Sequence, residues 1–333
     1  MEFGNILQDL KKGIYHPVYL LQGEEPYYID VIADYIEKNV LTDAEKGFNQ
    51  TIFYGKDSDP VTIVESSLRF PMMAGKQVII VKEAQSLSKI ETLTSYAEKP
   101  LGSTVLVLAY KYKTVDARSK LVKAIKKNGV VFTSEKLYEN KIPAWIDSYL
   151  KDHNYTITPQ AAQLLTTFLG TDLSKIANEL NKLVIAVKDT NRITPEHIEK
   201  NIGVSKDYNV LELTNALGQK DVLKANKIIR YFGANPSQNP IQKTVAGLYF
   251  YFSKLFTYHF LKDKSERSVA AELRVHPFFV RDYVAAAKRY SPTKLYEIMG
   301  ILREYDMKSK GFNVSTMVDE ADLQKEMIYK ILH

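Results

Sequence analysis

A short apolar run, PVYLLQG at 17–23, ends in Gly23 and leads into a helical pattern. In nucleotide-binding folds that junction is where backbone amides at a helix N-terminus cradle phosphate. Phosphoryl transfer there requires G-x-x-x-x-G-K-[S/T]: a second Gly for close approach, a Lys for the outer phosphates and a hydroxyl for Mg²⁺. Counting from Gly23 puts Tyr28, Ile29 and Asp30 in those three places. Glu24, Glu25 and Asp30 would occupy the positive end of the following helix themselves and repel a triphosphate. At the end of an inner strand, VIIVKEAQ (78–85) offers Lys82 where a metal-holding Asp would stand, with Glu83 after it. Both halves of an ATP-hydrolysing machinery are therefore missing, and the loop carrying Gly23, Tyr28, Ile29 and Asp30 is expected not to bind ATP.

Other chemistries find less support. The chain has no cysteine, which excludes disulfides, zinc fingers, iron–sulfur clusters and a thiol nucleophile. Its histidines (16, 153, 197, 259, 276 and 333) show no metal-ligand spacing and read as surface or cap residues. G-x-S-x-G is absent. Carboxylate pairs such as Glu24-Glu25 and Asp319-Glu320 sit in polar contexts that suit helix ends or solvent. The aromatic residues Tyr249, Phe250, Tyr251, Phe252, Phe256, Tyr258 and Phe260 could stack bases, but their placement around a helix suits core and subunit packing better. No catalytic residue, metal or cofactor is expected.

One non-catalytic feature stands apart. A helix opened by Asp59-Pro60 runs into Leu68-Arg69-Phe70-Pro71-Met72-Met73-Ala74-Gly75-Lys76. Pro71 disfavours helix at Phe70 and helps to stop it. Large apolar groups then follow at a helix-to-strand junction, where loops usually face water. Methionine is a flexible apolar side chain suited to adaptable binding surfaces. The residues either fold back onto the sheet or present an apolar contact.

The elements around these residues change character along the chain. Over the first 140 residues strand and helix patterns alternate. Strands are expected at 17–23, 51–55, 77–81, 103–110 and 130–132, and an amphipathic helix at 116–129. Five apolar strands separated by helices imply a mostly parallel sheet covered on both faces. From about 141 the strand signal stops. Thr158-Pro159 and Thr194-Pro195 open helices, and Gly170 and Gly203 close them, giving a four-helix unit over 141–207. Residues 208–333 read as all helix, with breaks at Asn235-Pro236, His276-Pro277 and Ser291-Pro292. The N-terminus lacks a signal-peptide apolar core, and no apolar stretch is long enough to span a membrane, so a cytoplasmic protein is expected.

At 333 residues the chain has room for two or three domains. Its net charge of +6 is uneven. Residues 1–140 hold 18 Lys and Arg against 18 Asp and Glu, whereas 220–310 hold 17 against 8. That segment suits nucleic acid, an acidic partner surface or a merely solvated helical face.

The segments PVYLLQGEEPYYID, RFPMMAGKQVIIVKEAQ, GTDLSKIANELNKL, NVLELTNALGQKD and REYDMKSKG, in this order and spacing, resemble the delta-subunit family of the bacterial DNA polymerase III clamp loader. The resemblance implies an α/β plus all-α architecture. An AAA+-like parallel-sheet domain with a degenerate nucleotide loop and a clamp-binding element would span 1–140, a helical lid 141–207 and a helical collar 208–333. It implies a non-enzymatic subunit that binds the ring-shaped sliding clamp (the beta subunit) and helps open it for loading onto primed DNA, without hydrolysing ATP. ATPase subunits and one further non-hydrolysing subunit would join it through the collar. The clamp contact would fall on Met72 and Met73, with Phe70 and Pro71 alongside; other members often carry Leu or Phe at the pair. Burying three large apolar side chains is worth roughly 5–9 kcal/mol gross, against an association cost of about 4–15 kcal/mol. Rim contacts, Arg69 and Lys76 among them, would supply the remainder. Three alternatives differ in class. An active ATPase is opposed by the missing Lys and hydroxyl. The other non-hydrolysing loader subunit needs cysteines that this chain lacks. A stand-alone nucleic-acid-binding protein would use the basic C-terminal third.

Overall fold

A computed structural model describes residues 1–312 and 319–333. The chain forms two compact units, 1–137 and 138–333.

The first unit is built on five parallel strands, β1 (Val18–Gly23), β2 (Gln50–Tyr54), β3 (Gln77–Lys82), β4 (Thr104–Lys111) and β5 (Val130–Ser134), in the order β2-β3-β4-β1-β5. Its helices are α1 (Phe3–Lys11), α2 (Pro26–Asn39), α3 (Asp43–Asn49), α4 (Pro60–Ser67), α5 (Thr94–Glu98) and α6 (Lys120–Asn128). Successive side chains of a strand point to opposite faces. Val18 and Leu20 therefore join Ile79, Val81, Leu106 and Leu108 beneath α4, α5 and α6. Tyr19 and Leu21 join Val78, Ile80, Val105 and Val107 beneath α1 and α2. Burial on both faces is why β1, β3 and β4 are continuous apolar runs rather than alternating ones.

Two expectations need correction here. The strand at 51–55 was expected to be covered like the others, yet β2 is an edge strand with Ile52 and Tyr54 exposed. The helix expected from 116 begins at Lys120, because Ser119 accepts a hydrogen bond from the Val122 amide at 3.2 Å and caps it there. Asp116 instead pairs with Arg118 in the preceding turn.

The second unit opens with α7 (Ile142–Lys151), α8 (Pro159–Leu169), α9 (Leu173–Ala186) and α10 (Pro195–Ile202). The Thr158 hydroxyl accepts from the Ala161 amide, and Thr194 forms a capping box with His197. Gly170 and Gly203 end their helices with φ of 72° and 79°. Two short strands, β6 (Thr156–Ile157) and β7 (Arg192–Ile193), pair in parallel beside these helices. The sequence reading placed no strand there, because two-residue strands carry no periodicity.

Seven further helices follow: α11 (Val210–Gln219), α12 (Val222–Ala234), α13 (Ile241–His259), α14 (Glu266–Glu272), α15 (Val280–Ala287), α16 (Pro292–Ser309) and α17 (Glu320–Leu332). They enclose a core of Leu213, Phe232, Phe252, Tyr290, Tyr305, Ile331 and their neighbours. The aromatic run divides as expected of a helix with two faces. Tyr251, Phe252 and Tyr258 are buried, while Tyr249, Phe250 and Phe260 are exposed. Among the described residues no helix is long and apolar enough to cross a membrane. This architecture is an AAA+-like parallel-sheet domain followed by helical lid and collar groups.

Candidate functional site

The loop after β1 is filled by the protein's own groups. Gly23 has φ +131°, and a Cβ there would lie 2.1 Å from the Ser134 carbonyl oxygen at the end of β5, so only glycine fits. The Gly23 amide donates to the Lys113 carbonyl at 3.0 Å and the Glu24 amide to the Ser134 carbonyl at 3.1 Å. Glu25 caps α2, its buried carboxylate accepting from the Tyr27 amide at 3.1 Å. The Gly23, Glu24 and Tyr27 amides thus already have partners. Gln22, also buried, closes the floor by donating to Thr133 Oγ1 and accepting from the Val115 amide.

The three positions where a phosphate loop would carry Gly, Lys and a hydroxyl behave accordingly. The Tyr28 ring packs edge-on against Phe3 at 4.7 Å. Ile29, in the place of the phosphate-binding Lys, lies fully in the core beside Ile32 and Ile36. Asp30, in the place of the Mg²⁺ hydroxyl, takes an ion pair from Lys111 Nζ at 2.6 Å. Lys82 pairs with Glu37 at 2.9 Å, and that bond holds the Lys82 ammonium above its usual range. Among the described residues no group of three or more acidic or histidine side chains is assembled that could hold a metal.

At the opposite, N-terminal edge of the sheet the chain does the reverse and displays apolar groups. Phe70 is 77% exposed, Met72 61% and Met73 103%, with Leu68 half exposed and Pro71 partly covered. Exposure of this order in consecutive large apolar residues is what marks a contact surface. The tip is held from beneath by polar side chains that are themselves buried. Asn49, at the end of α3, accepts from the Met72 amide at 2.6 Å and donates to the Met72 carbonyl at 2.9 Å. Gln77, the first residue of β3, donates to carbonyls at the end of α4 and just beyond it, those of Ser66, Ser67 and Arg69. Thr104, the first residue of β4, adds a hydrogen bond to the Ser67 carbonyl at 3.0 Å. These bonds satisfy the orphan carbonyls that a helix leaves at its end. Met73 has φ +52°, a left-handed conformation that a long side chain rarely adopts. Arg69 is exposed at the rim, whereas the Lys76 ammonium donates to the Gly102 carbonyl.

Sequence reading singled out Phe70, Pro71, Met72 and Met73, and the fold brings them together in one loop. It missed Asn49, Gln77 and Thr104. Their signal was polar residues standing at the entrances of otherwise apolar strands. It also missed Phe48, which is 76% exposed and adjoins Asn49.

Comparisons with known proteins agree with this architecture. The family described as DNA polymerase III, delta subunit, matches residues 19–135, and the family described as DNA polymerase III delta subunit, C-terminal domain, matches 207–319. The chain is 28% identical over 320 residues to the DNA polymerase III subunit delta of Bacillus subtilis, covering 92% of this chain and 91% of the relative. The solved Bacillus subtilis DNA clamp loader delta protein superimposes with a TM-score of 0.58 at 24% identity, covering 99% of each chain, a likeness of fold. The chain belongs to the delta-subunit family of DNA polymerase III.

Proposed function

We propose that this chain is the clamp-loader subunit that binds the sliding clamp through Phe70, Pro71, Met72 and Met73 and helps to open the ring, without hydrolysing ATP itself. The observation that carries this reading is the supported tip: Met73 fully exposed in a left-handed conformation, its neighbour Met72 pinned at both backbone atoms by buried Asn49. An apolar loop with no role beyond connection would gain by folding back onto the sheet; this one is held out at a conformational cost. The closed loop at Gly23 supports the non-hydrolysing part, because its amides and the Asp30 carboxylate are already engaged. On this reading the partners are the clamp, the ATPase subunits and second non-hydrolysing subunit met through the collar (208–333), and primed DNA in the assembled loader. Opening follows if the tip binds a relaxed ring interface better than a closed one, since a ligand shifts an equilibrium only by differential affinity.

The test is binding of the purified chain to the clamp of the same organism without nucleotide, with Met72→Ala/Met73→Ala in parallel. Binding by the wild type and its loss in a folded double variant support the reading. Absence of wild-type binding refutes it, and binding that survives the substitutions moves the contact elsewhere.

A further inference from the structure

The collar's basic excess is not spread evenly over its surface. Ion pairs engage several cations of α12, α16 and α17: Lys224 with Glu212, Lys294 with Glu297, Lys308 with Glu304, Lys310 with Asp306, and Lys325 with Asp322, while among the described residues Lys227, Arg230 and Arg303 stand singly on those helices. From Lys264 to Arg289 no cation is ion-paired among the described residues, and four of them converge. Lys264, Arg281, Lys288 and Arg289 line one open depression of about 480 Å³, floored by Val280, Val284 and Ala285. Among the described residues none of these four cations has an ion-pair partner, and Glu266 is the one acidic residue at the rim. The remaining acids of the segment are directed elsewhere. Asp282 and Glu272 line a separate cavity that contains Lys254, and Asp263 accepts from the Ser265 amide and hydroxyl.

Two of the four cations are held in place. Arg289 donates from Nη1 to the Gly218 carbonyl at 3.3 Å and to the Ala285 carbonyl at 3.1 Å, which leaves the rest of its guanidinium fork for another acceptor. The Lys264 ammonium sits 5.0 Å from the centre of the Tyr258 ring. Arg281 and Lys288 are seven residues apart on α15 and its C-terminal extension, about 10 Å along the axis. Lys264 comes from the loop before α14. The result is a row of positive charge flanked by a third point on another element, over an apolar floor. A single carboxylate could not neutralise that spread, whereas a phosphodiester strand, with regularly repeated charge and no need for sequence readout, fits it.

We infer that the depression bounded by Lys264, Arg281, Lys288 and Arg289 is a nucleic-acid backbone site on this chain. The inference rests on the function proposed above only in taking DNA as the polyanion, and it is independent of the clamp contact. The cations hold phosphates without selecting bases, so binding is weak, indifferent to sequence and steeply salt-dependent.

The test uses the full chain and a fluorescent primer–template DNA, with anisotropy read across a salt series. Reversing Arg281→Glu/Lys288→Glu is expected to weaken binding about tenfold or more at low salt and to lower the slope of log K against log salt by about two, equally for unrelated sequences. Lys325→Glu, on an ion-paired surface, leaves both unchanged. The neutral pair Arg281→Gln/Lys288→Gln gives the same loss of slope should the reversal variant fail to fold. Clamp binding is measured on the same samples; its retention beside the lost DNA affinity separates this site from the apolar tip. An affinity and slope untouched by either pair overturns the inference. So does a wild type that binds no DNA at low salt while the reversal abolishes association with another loader subunit, which makes the surface a protein interface.

Discussion

Met73 lets display be separated from folding. Its side chain is fully exposed, so removing it takes nothing from the core, but its backbone sits at φ +52°. A non-glycine residue in that region carries about 1–2 kcal/mol of strain. Met73→Gly relieves this, while glycine's greater freedom in the unfolded chain offsets about 0.4–1 kcal/mol. The expected net effect on stability runs from no change to a gain of about 1.5 kcal/mol. Clamp binding moves the other way. A methionine buried at an interface is worth about 1.5–3 kcal/mol, so its loss weakens binding about 10- to 150-fold. Met73→Ala keeps the strain and loses the contact, giving unchanged stability with a similar loss of affinity. Met73→Val retains apolar volume but resists a positive φ, and loses both stability and affinity. Denaturant unfolding and calorimetric titration with the clamp measure the two quantities on one sample. A glycine variant less stable than wild type by more than about 1 kcal/mol would show that the loop is not strained as described. Wild-type affinity in both the glycine and alanine variants would show that Met73 is not in the contact.

The remaining predictions concern the supports and the closed loop. Asn49→Ala leaves every apolar side chain of the tip in place but removes both bonds to Met72. It is expected to cost about 1–3 kcal/mol of stability and to weaken clamp binding several-fold, seen by unfolding and titration as for Met73. Ile29→Lys/Asp30→Ser restores two residues of a phosphate loop, yet a fluorescent ATP analogue is expected to bind neither it nor the wild type, because the Gly23 and Glu24 amides remain engaged; saturable binding by either would refute the closed-loop argument. The Glu196 carboxyl is held down at about 2, first by the Thr194 hydroxyl, then by its own amide and by Lys206 at 3.3 Å. A depressed carboxyl contributes stability that is present above its ordinary value near 4.5 and is lost as pH falls through about 2. Glu196→Gln should therefore lower the melting temperature at neutral pH, converge with the wild type at low pH, and so flatten the acid limb below about 4.5; an unaltered acid limb would count against it.

How much of this was legible in the sequence depends on which physics each feature uses. The core strands announce themselves because a parallel sheet buried on both faces demands continuous apolar runs, as in Val78–Val81. The helix ends at Thr158, Thr194, Gly170 and Gly203 were legible because caps are local chemistry. The pairing of Asn49 with Met72 spans 23 residues and that of Gln77 with the end of α4 spans about ten, so neither leaves a local pattern. The exposure of β2 is a consequence of strand order, and order is set by crossover connections rather than by the composition of Gln50–Tyr54. Met73's left-handed backbone was the least legible, since nothing in a methionine signals a positive φ.

The closed loop and the displayed tip occupy opposite ends of the same sheet. Gly23 and Lys82 lie at the C-terminal ends of β1 and β3, whereas Asn49, Gln77 and Thr104 stand at the N-terminal entrances of β2, β3 and β4. Six residues of β3 put about 17 Å between the two edges. AAA+-like sheets take ligands at the C-terminal edge, and here that edge is consumed in bonding Gly23 to Lys113, Glu24 to Ser134 and Asp30 to Lys111. On the proposed function a nucleotide finds nothing at this chain's own crevice to bind differently in two states, and without differential binding it cannot shift the tip. The tip is in turn fixed by buried hydrogen bonds to three strand entrances rather than by a hinge. Both facts lead to one consequence for regulation on the proposed function. The isolated chain presents its apolar contact constitutively, so control by ATP must act through neighbouring subunits that cover or uncover it.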